Sequence, residues 1–89
     1  MRGTIVVARC YNNKPAVLRV WECDDRLAYL ASERRFADLQ SGRAKSLPIG
    51  FPRDDVFAYD DNVMGHLVTG VEGSEVPWHR MRLWTVEKA

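Results

Sequence analysis

The sequence predicts a small α+β domain built on an antiparallel sheet. Two segments rich in β-branched residues, 4–10 and 16–23, flank a short polar stretch that suits a turn. A later segment, 33–41, has the flanking residues of a short helix. We therefore expect a small curved antiparallel sheet or SH3-like partial barrel, of about four to six strands, with that one helix.

Length and composition point to a single folded domain. The chain has 89 residues, of which 46% are hydrophobic and 28% charged, as in ordinary globular proteins. Because this length leaves no room for a second independent core, residues 1–89 are interpreted as one domain. So small a core leaves open a homo-oligomer as the stable form.

The charge balance and the apolar runs limit the classes of partner. A net charge of +1 gives no bulk attraction for nucleic acid or anionic lipid. No apolar run approaches transmembrane length, and Ile5–Ala8 is far shorter than a signal-peptide core. We expect no membrane partner. Cys10 and Cys23 are expected far apart along a hairpin, which favours free thiols and a cytoplasmic location.

The first predicted element is a hairpin from Thr4 to Cys23. With its turn near Asn13, Val6 lies opposite Val20 on a face that also carries Cys10 and forms the core. The other face is too apolar to be only solvated, so we expect it to be partly covered. That second face carries Ile5, Val7, Arg9, Val17, Arg19, Trp21 and Cys23.

The middle of the chain predicts a strand followed by a helix. Arg26–Ala31 permits either structure, and we favour a strand because Arg34 interrupts the apolar stripe of a longer helix. Ser32 suits an N-cap and Gly42 a terminator, so a helix is expected over Glu33–Ser41.

Prolines and turn residues divide the second half of the chain into a loop and several short strands. Pro48 and Pro52 exclude regular helix and central strand, which predicts a shaped loop over 43–52. Further strands are expected at 55–59, 63–68 and 78–86, with a glycine-containing connection at 70–75.

The last predicted strand carries a candidate recognition face. Alternation would place Met81 and Leu83 on one side and aromatic and guanidinium groups on the other. Such groups stack on bases and neutralise phosphates, and they also suit a carboxylate or an acidic partner. If the strand lies beside the hairpin, this face continues into Arg9, Arg19 and Trp21 of the hairpin. Its candidate contacts are Trp78, Arg80, Arg82, Trp84, Arg9, Arg19 and Trp21.

The alternative interpretation makes the same tryptophans part of the core. In it, the helix covers Trp78 and Trp84 through Phe36 and Leu39, while the neighbouring arginines extend to solvent.

The proline-flanked loop is a second candidate contact. Phe51 would be its anchor, with Arg53 and Asp54 setting the polarity of the rim. The alternative is a structural crossover in which Ile49 and Phe51 plug one end of the barrel or sheet.

The sequence contains no pattern that identifies catalysis or metal binding. Neighbouring aspartates at 54–55 and 60–61 point to opposite faces of a strand and are typical of turns. His66 and His79 lack metal-ligand spacing, and Cys10 is expected to be a buried thiol. We therefore expect no cofactor and favour a noncatalytic protein.

These observations predict a small binding module that recognises a protein or peptide. One alternative is single-stranded nucleic-acid binding through the same Arg/Trp face, which the net charge does not support. Another is a subunit of an enzyme or ligand-binding oligomer. The predicted binding residues are Trp78, Arg80, Arg82, Trp84, Arg19, Trp21, Phe51 and Arg53.

Overall fold

A computed structural model describes residues 1–60 and 76–85. Within these residues, five strands form one antiparallel sheet with the order β4-β3-β2-β1-β5. The strands are β1 (Ile5–Arg9), β2 (Pro15–Cys23), β3 (Leu27–Ala31), β4 (Ile49–Pro52) and β5 (Val56–Ala58), and the helix is α1 (Glu33–Ser41). The predicted α+β class is confirmed. The predictions for 63–68, 70–75 and His66 lie outside the described residues.

The predicted hairpin is present, with a different register. Val6 lies opposite Leu18, so the predicted pairing of Val6 with Val20 is wrong by two residues. The turn is a 3-10 turn over Tyr11–Asn13 and is therefore centred one residue earlier than expected. Because the shift is an even number of residues, the hairpin side chains keep their predicted faces.

A bulge in β2 changes the face of its last residues. The pairing of β2 with β3 shifts register between Val20 and Glu22. Beyond the shift, Cys23 lies opposite Ala28 and packs against the same cluster as Cys10. The predicted placement of Cys23 on the second face is wrong because a bulge reverses the alternation. Both thiols are free, as predicted.

The sheet curves strongly. Strands β4 and β5 lie at opposite ends of the strand order, yet only a three-residue 3-10 turn, Arg53–Asp55, connects them. So short a connection requires the two ends of the sheet to approach each other. All five strands then contribute to one cluster on the concave face, the main core. It contains Val6, Ala8, Val20, Ala28, Leu30 and Val56, with Cys10, Leu18, Cys23, Phe51 and Trp84 partly buried against it.

Two smaller clusters cover parts of the convex face, as expected for an apolar second face. Helix α1 packs on Trp21 and Ala31 through Phe36 and Leu39. Residues of the C-terminal segment pack on Val7 and Phe57, among them Trp78 and Met81. Between these clusters, Ile5 and Val17 remain 39% and 41% exposed.

The helix has the predicted bounds. The Ser32 side chain accepts a hydrogen bond from the Arg35 N–H, and Gly42 has a φ of 84° at the C-cap. Both are local signals that favour these bounds over other helix ends. The preference for a strand rather than a helix over 26–31 is also confirmed.

Two predictions for the second half need correction. The segment 43–52 is not loop throughout, because Ile49–Pro52 forms β4 at an edge of the sheet, where a terminal proline is tolerated. The predicted strand over 78–86 is wrong at Trp78–Arg80, which form a 3-10 turn. Leu83 pairs with Phe57 in an isolated bridge, with the Ala58 N–H donating to the Arg82 carbonyl at 2.8 Å and the Trp84 N–H to the Val56 carbonyl at 3.0 Å.

Candidate functional site

The predicted Arg/Trp face is not continuous. The Trp78 ring packs on Phe57 with 4.8 Å between centroids, on the convex side of the sheet. Trp84 instead packs against the main core on the concave side. The 3-10 turn at the start of this segment breaks the alternation that would have aligned the two rings. Arg80 and Arg82 lie between them and are exposed.

The proposed covering of these tryptophans by the helix is also wrong. The aromatic ring that Phe36 contacts belongs to Trp21, at 5.7 Å between centroids in an edge-on arrangement. Trp78 is held by Phe57 and by a hydrogen bond from its indole N–H to the Asn13 carbonyl at 3.2 Å.

Each tryptophan has an arginine of the same chain over its ring. Such cation–π contacts cover aromatic surface that a base would otherwise stack on. The single-stranded nucleic-acid alternative therefore gains no open stacking platform from these three rings. The guanidinium-to-centroid distances are 3.9 Å for Arg2 and Trp21, 5.6 Å for Arg9 and Trp78, and 5.1 Å for Arg53 and Trp84.

Arg19 and Trp21 do not extend the C-terminal surface. Strands β1 and β5 lie between β2 and the segment that bonds to β5. The Arg19 guanidinium donates to a Glu33 carboxylate oxygen at 2.6 Å and to the Gly3 carbonyl at 2.7 Å. Arg19 therefore ties the start of α1 and the N-terminal residues to β2.

The two predicted contacts of the proline-flanked loop have structural roles. Phe51 packs against the main core, as in the alternative in which the loop plugs one end of the sheet, whereas Ile49 is 73% exposed. The Arg53 guanidinium donates to the Asp24 carbonyl at 3.1 Å while lying over Trp84. Arg53 therefore links the β2–β3 turn to the C-terminal segment.

A feature that the sequence did not predict is an apolar groove of about 410 Å³. It lies where β3 leaves the sheet and the chain enters α1, with the loop before β4 as its other wall. Leu47 and Ile49 border it and are 53% and 73% exposed, while Pro48 is buried. The apolar groove is lined by Leu18, Leu30, Ala31, Ser32, Arg35, Leu47, Pro48, Ile49 and Phe51.

Of the residues that line the apolar groove, Arg35 is the charged one. The Arg35 guanidinium donates to the backbone carbonyl and the hydroxyl of Ser46, at 3.2 and 3.1 Å, and so holds the loop against the helix. Residues 32–48 contain four basic side chains and two acidic ones. The basic side chains are Arg34, Arg35, Arg43 and Lys45, and the acidic ones are Glu33 and Asp38.

One wall of the apolar groove could be predicted from the sequence, but the groove itself could not. The loop and Phe51 were identified from proline spacing, and the exposed Leu47-Pro-Ile49 run was a further available signal. The floor comes from Leu18 and Leu30, which are distant in sequence and appeared only as strand residues.

The surroundings of the Cys10 thiol disfavour its reactive form. Burial raises the pKa of the Cys10 thiol, and the nearby Asp55 carboxylate raises it further, so the reactive thiolate is disfavoured. Asp55 itself pairs with Arg9 at 2.7 Å. Within residues 1–60 and 76–85, no group of three His, Cys, Asp or Glu side chains is placed to hold a metal ion.

Comparisons of the chain with protein-family models, curated proteins and solved structures found no match. Over the part of the chain that the structure describes, no helix is both long and apolar enough to span a membrane.

Proposed function

We propose that the protein is a noncatalytic binding module that takes a short segment of a protein or peptide partner in the apolar groove. The observation that carries this proposal is the exposure of Leu47 and Ile49 beside a concave apolar surface. Burial of apolar surface by a partner stabilises the complex by about 25 cal/mol per Å². A volume of about 410 Å³ also suits a bound side chain or two.

The construction of the apolar groove supports binding without large rearrangement. One wall is a strand end and a capped helix start, and the other is restrained by Pro48 and by the Arg35–Ser46 hydrogen bonds. A wall that is ordered before binding loses less conformational entropy when the partner arrives.

Three finer expectations accompany this proposal. The short connection between β4 and β5 supports an SH3-like partial barrel, and the free thiols support a cytoplasmic location. Single-stranded nucleic-acid binding through Arg80 and Arg82 stays a prediction with less support, because the flanking tryptophans lie on opposite faces.

The proposal is tested by selecting phage-displayed random dodecapeptides on the full chain and measuring the affinity of synthetic versions. Ile49→Asp places a charge at the border of the apolar groove, and we expect it to weaken binding by about tenfold or more. Leu83→Asp is the matched control, since Leu83 is also exposed, at 42%, but lies beside β5. It should leave affinity unchanged.

Two results would contradict the proposed function. One is that the wild-type chain selects no peptide. The other is that Ile49→Asp and Leu83→Asp have the same effect on affinity while thermal unfolding shows that both variants fold.

A further inference from the structure

Within residues 1–60 and 76–85, no strand pairs with one edge of β2 beside the apolar groove. Strand β3 pairs with β2 only as far as Ala31, opposite Arg19, and the chain then enters α1 at Ser32. The preceding residues of β2, from Pro15 to Leu18, pair with β1 on their other side. Among the described residues, none occupies the position beside Pro15–Leu18 into which β3 would have continued.

The hydrogen bonds of the hairpin show which backbone groups point off this edge. The Cys10 N–H donates to the Lys14 carbonyl at 2.8 Å, and the Val20 N–H donates to the Thr4 carbonyl at 2.9 Å. Since successive residues of an antiparallel pair alternate in direction, even-numbered residues of β2 bond to β1. The N–H and C=O of Val17 therefore point away from β1, toward the open edge.

Cavities lie on both faces of the sheet at this edge. The apolar groove occupies the concave side, and a second cavity of about 270 Å³ lies on the convex side. Leu18 lines both, so the two cavities are separated by the edge of β2 itself. The second cavity is lined by Ile5, Val17, Leu18, Arg19 and Glu33.

This arrangement matches the side-chain pattern of an added strand. Successive residues of a strand project to opposite faces and are spaced at about 3.3 Å. A strand bonded to Val17 would direct one side chain into the apolar groove and the next into the convex cavity. Main-chain hydrogen bonds would supply the attachment, and the cavities would select the side chains.

We propose that the partner is an extended, apolar peptide segment with acidic residues that adds as a strand to the edge of β2 at Val17. This inference rests on the proposed function and specifies its mode of binding and partner class. The acidic residues are assigned from charge complementarity, because the charged residues that line the two cavities are two basic ones, Arg35 and Arg19, and one acidic one, Glu33.

A peptide fits this edge better than a second copy of the chain. Pairing of two β2 edges across a two-fold axis at Val17 would set Pro15 of one copy against Arg19 of the other, where Ala31 already pairs. The edge is also short, and Pro15 lacks the N–H that would extend its hydrogen bonding. A short edge of this kind suits a single peptide strand.

The decisive variant is Val17→Pro, tested with the selected dodecapeptide by calorimetric titration. Proline removes the outward N–H while the hairpin bonds of Ala16 and Leu18 to β1 stay in place, so we expect binding to weaken about tenfold. Val17→Thr is the matched control, since it retains both the N–H and β-branching and should bind like the wild type.

A second measurement keeps the test independent of how well Val17→Pro folds. N-methylation is introduced at each peptide residue in turn and binding to the unaltered chain is measured. An added strand bonds through alternate residues, so methylation should abolish binding at alternate positions and be tolerated between them.

The outcomes separate the mode of binding from the proposed function. If N-methylation has no alternating effect while Ile49→Asp still weakens binding, strand addition is wrong and the groove-binding function stands. Selected peptides without an excess of acidic residues overturn the charge assignment. A dimer in sedimentation that Val17→Pro dissolves overturns the peptide in favour of a second copy.

Discussion

The Asp24 side chain closes the turn between β2 and β3. The Asp24 carboxylate accepts hydrogen bonds from the N–H groups of Arg26 and Leu27, both at 2.8 Å. These bonds to the charged form hold the pKa of Asp24 below its ordinary value, with the Leu27 N–H as the largest cause. The charged carboxylate therefore belongs to the folded turn.

This lowered pKa predicts a dependence of stability on pH. The stabilisation is fully present above the ordinary aspartate pKa of about 3.9 and is lost as pH falls through the lowered value in the fold. Asp24→Asn keeps an acceptor oxygen but does not titrate. We expect the wild type to be more stable than Asp24→Asn near neutral pH, with the difference shrinking in acid.

The measurement is urea unfolding of both proteins across a pH series. A difference in unfolding free energy that stays constant down to acid pH would show that the turn does not depend on the Asp24 charge.

One residue-scale feature shows what the sequence could not supply. Cys23 continues the alternation of β2 in the sequence, yet the bulge after Val20 turns it to the face of Ala28. Nothing in the residues around Trp21 marks an extra residue, because the bulge arises from pairing with β3. The pairing of β2 with β3 therefore determines the direction of the Cys23 side chain, against the local pattern.

At the scale of elements, helix α1 depends on a local cap. The Ser32 hydroxyl accepts from the Arg35 N–H at 3.2 Å, a bond that replaces one lost at the first turn. The bounds of α1 could be predicted because these signals lie within a few residues of the helix ends.

Removing this cap should destabilise the fold by an amount typical of N-caps. We expect Ser32→Ala to lower the unfolding free energy by about 1 kcal/mol, and Ser32→Asp, which retains an acceptor, to lower it much less. Urea denaturation of the three proteins measures this. Equal losses in both variants would indicate that Ser32 acts through packing at the apolar groove instead.

The last segment shows the opposite case, in which a local pattern was misleading. The alternation from Trp78 onward fits a strand, but the Met81 N–H donates to the Trp78 carbonyl at 3.1 Å in a turn. That turn places Trp78 and Met81 on Phe57 and Val7. Packing against β5 and β1 stabilises the turn, and these long-range contacts cannot be read from the alternation of neighbouring residues.

At the scale of the whole molecule, the curvature of the sheet creates the candidate site. Leu18 of β2, Leu30 of β3 and Phe51 of β4 meet Leu47 and Pro48 because these three strands are neighbours in a sheet that curls around one core. The class of the fold followed from strand and turn patterns. The apolar groove did not, because its walls come from segments whose adjacency is set by strand order.

We therefore expect a partner to bind at the apolar groove and the β2 edge, away from Arg80 and Arg82. The most direct test is a heteronuclear NMR titration of the full chain with the selected dodecapeptide. We expect the backbone amide signals of Val17, Leu47 and Ile49 to shift most, with Val17 protected from solvent exchange. Shifts confined to Arg80, Arg82 and Trp84, with the signals of Leu47 and Ile49 unchanged, would contradict binding at the apolar groove and the β2 edge.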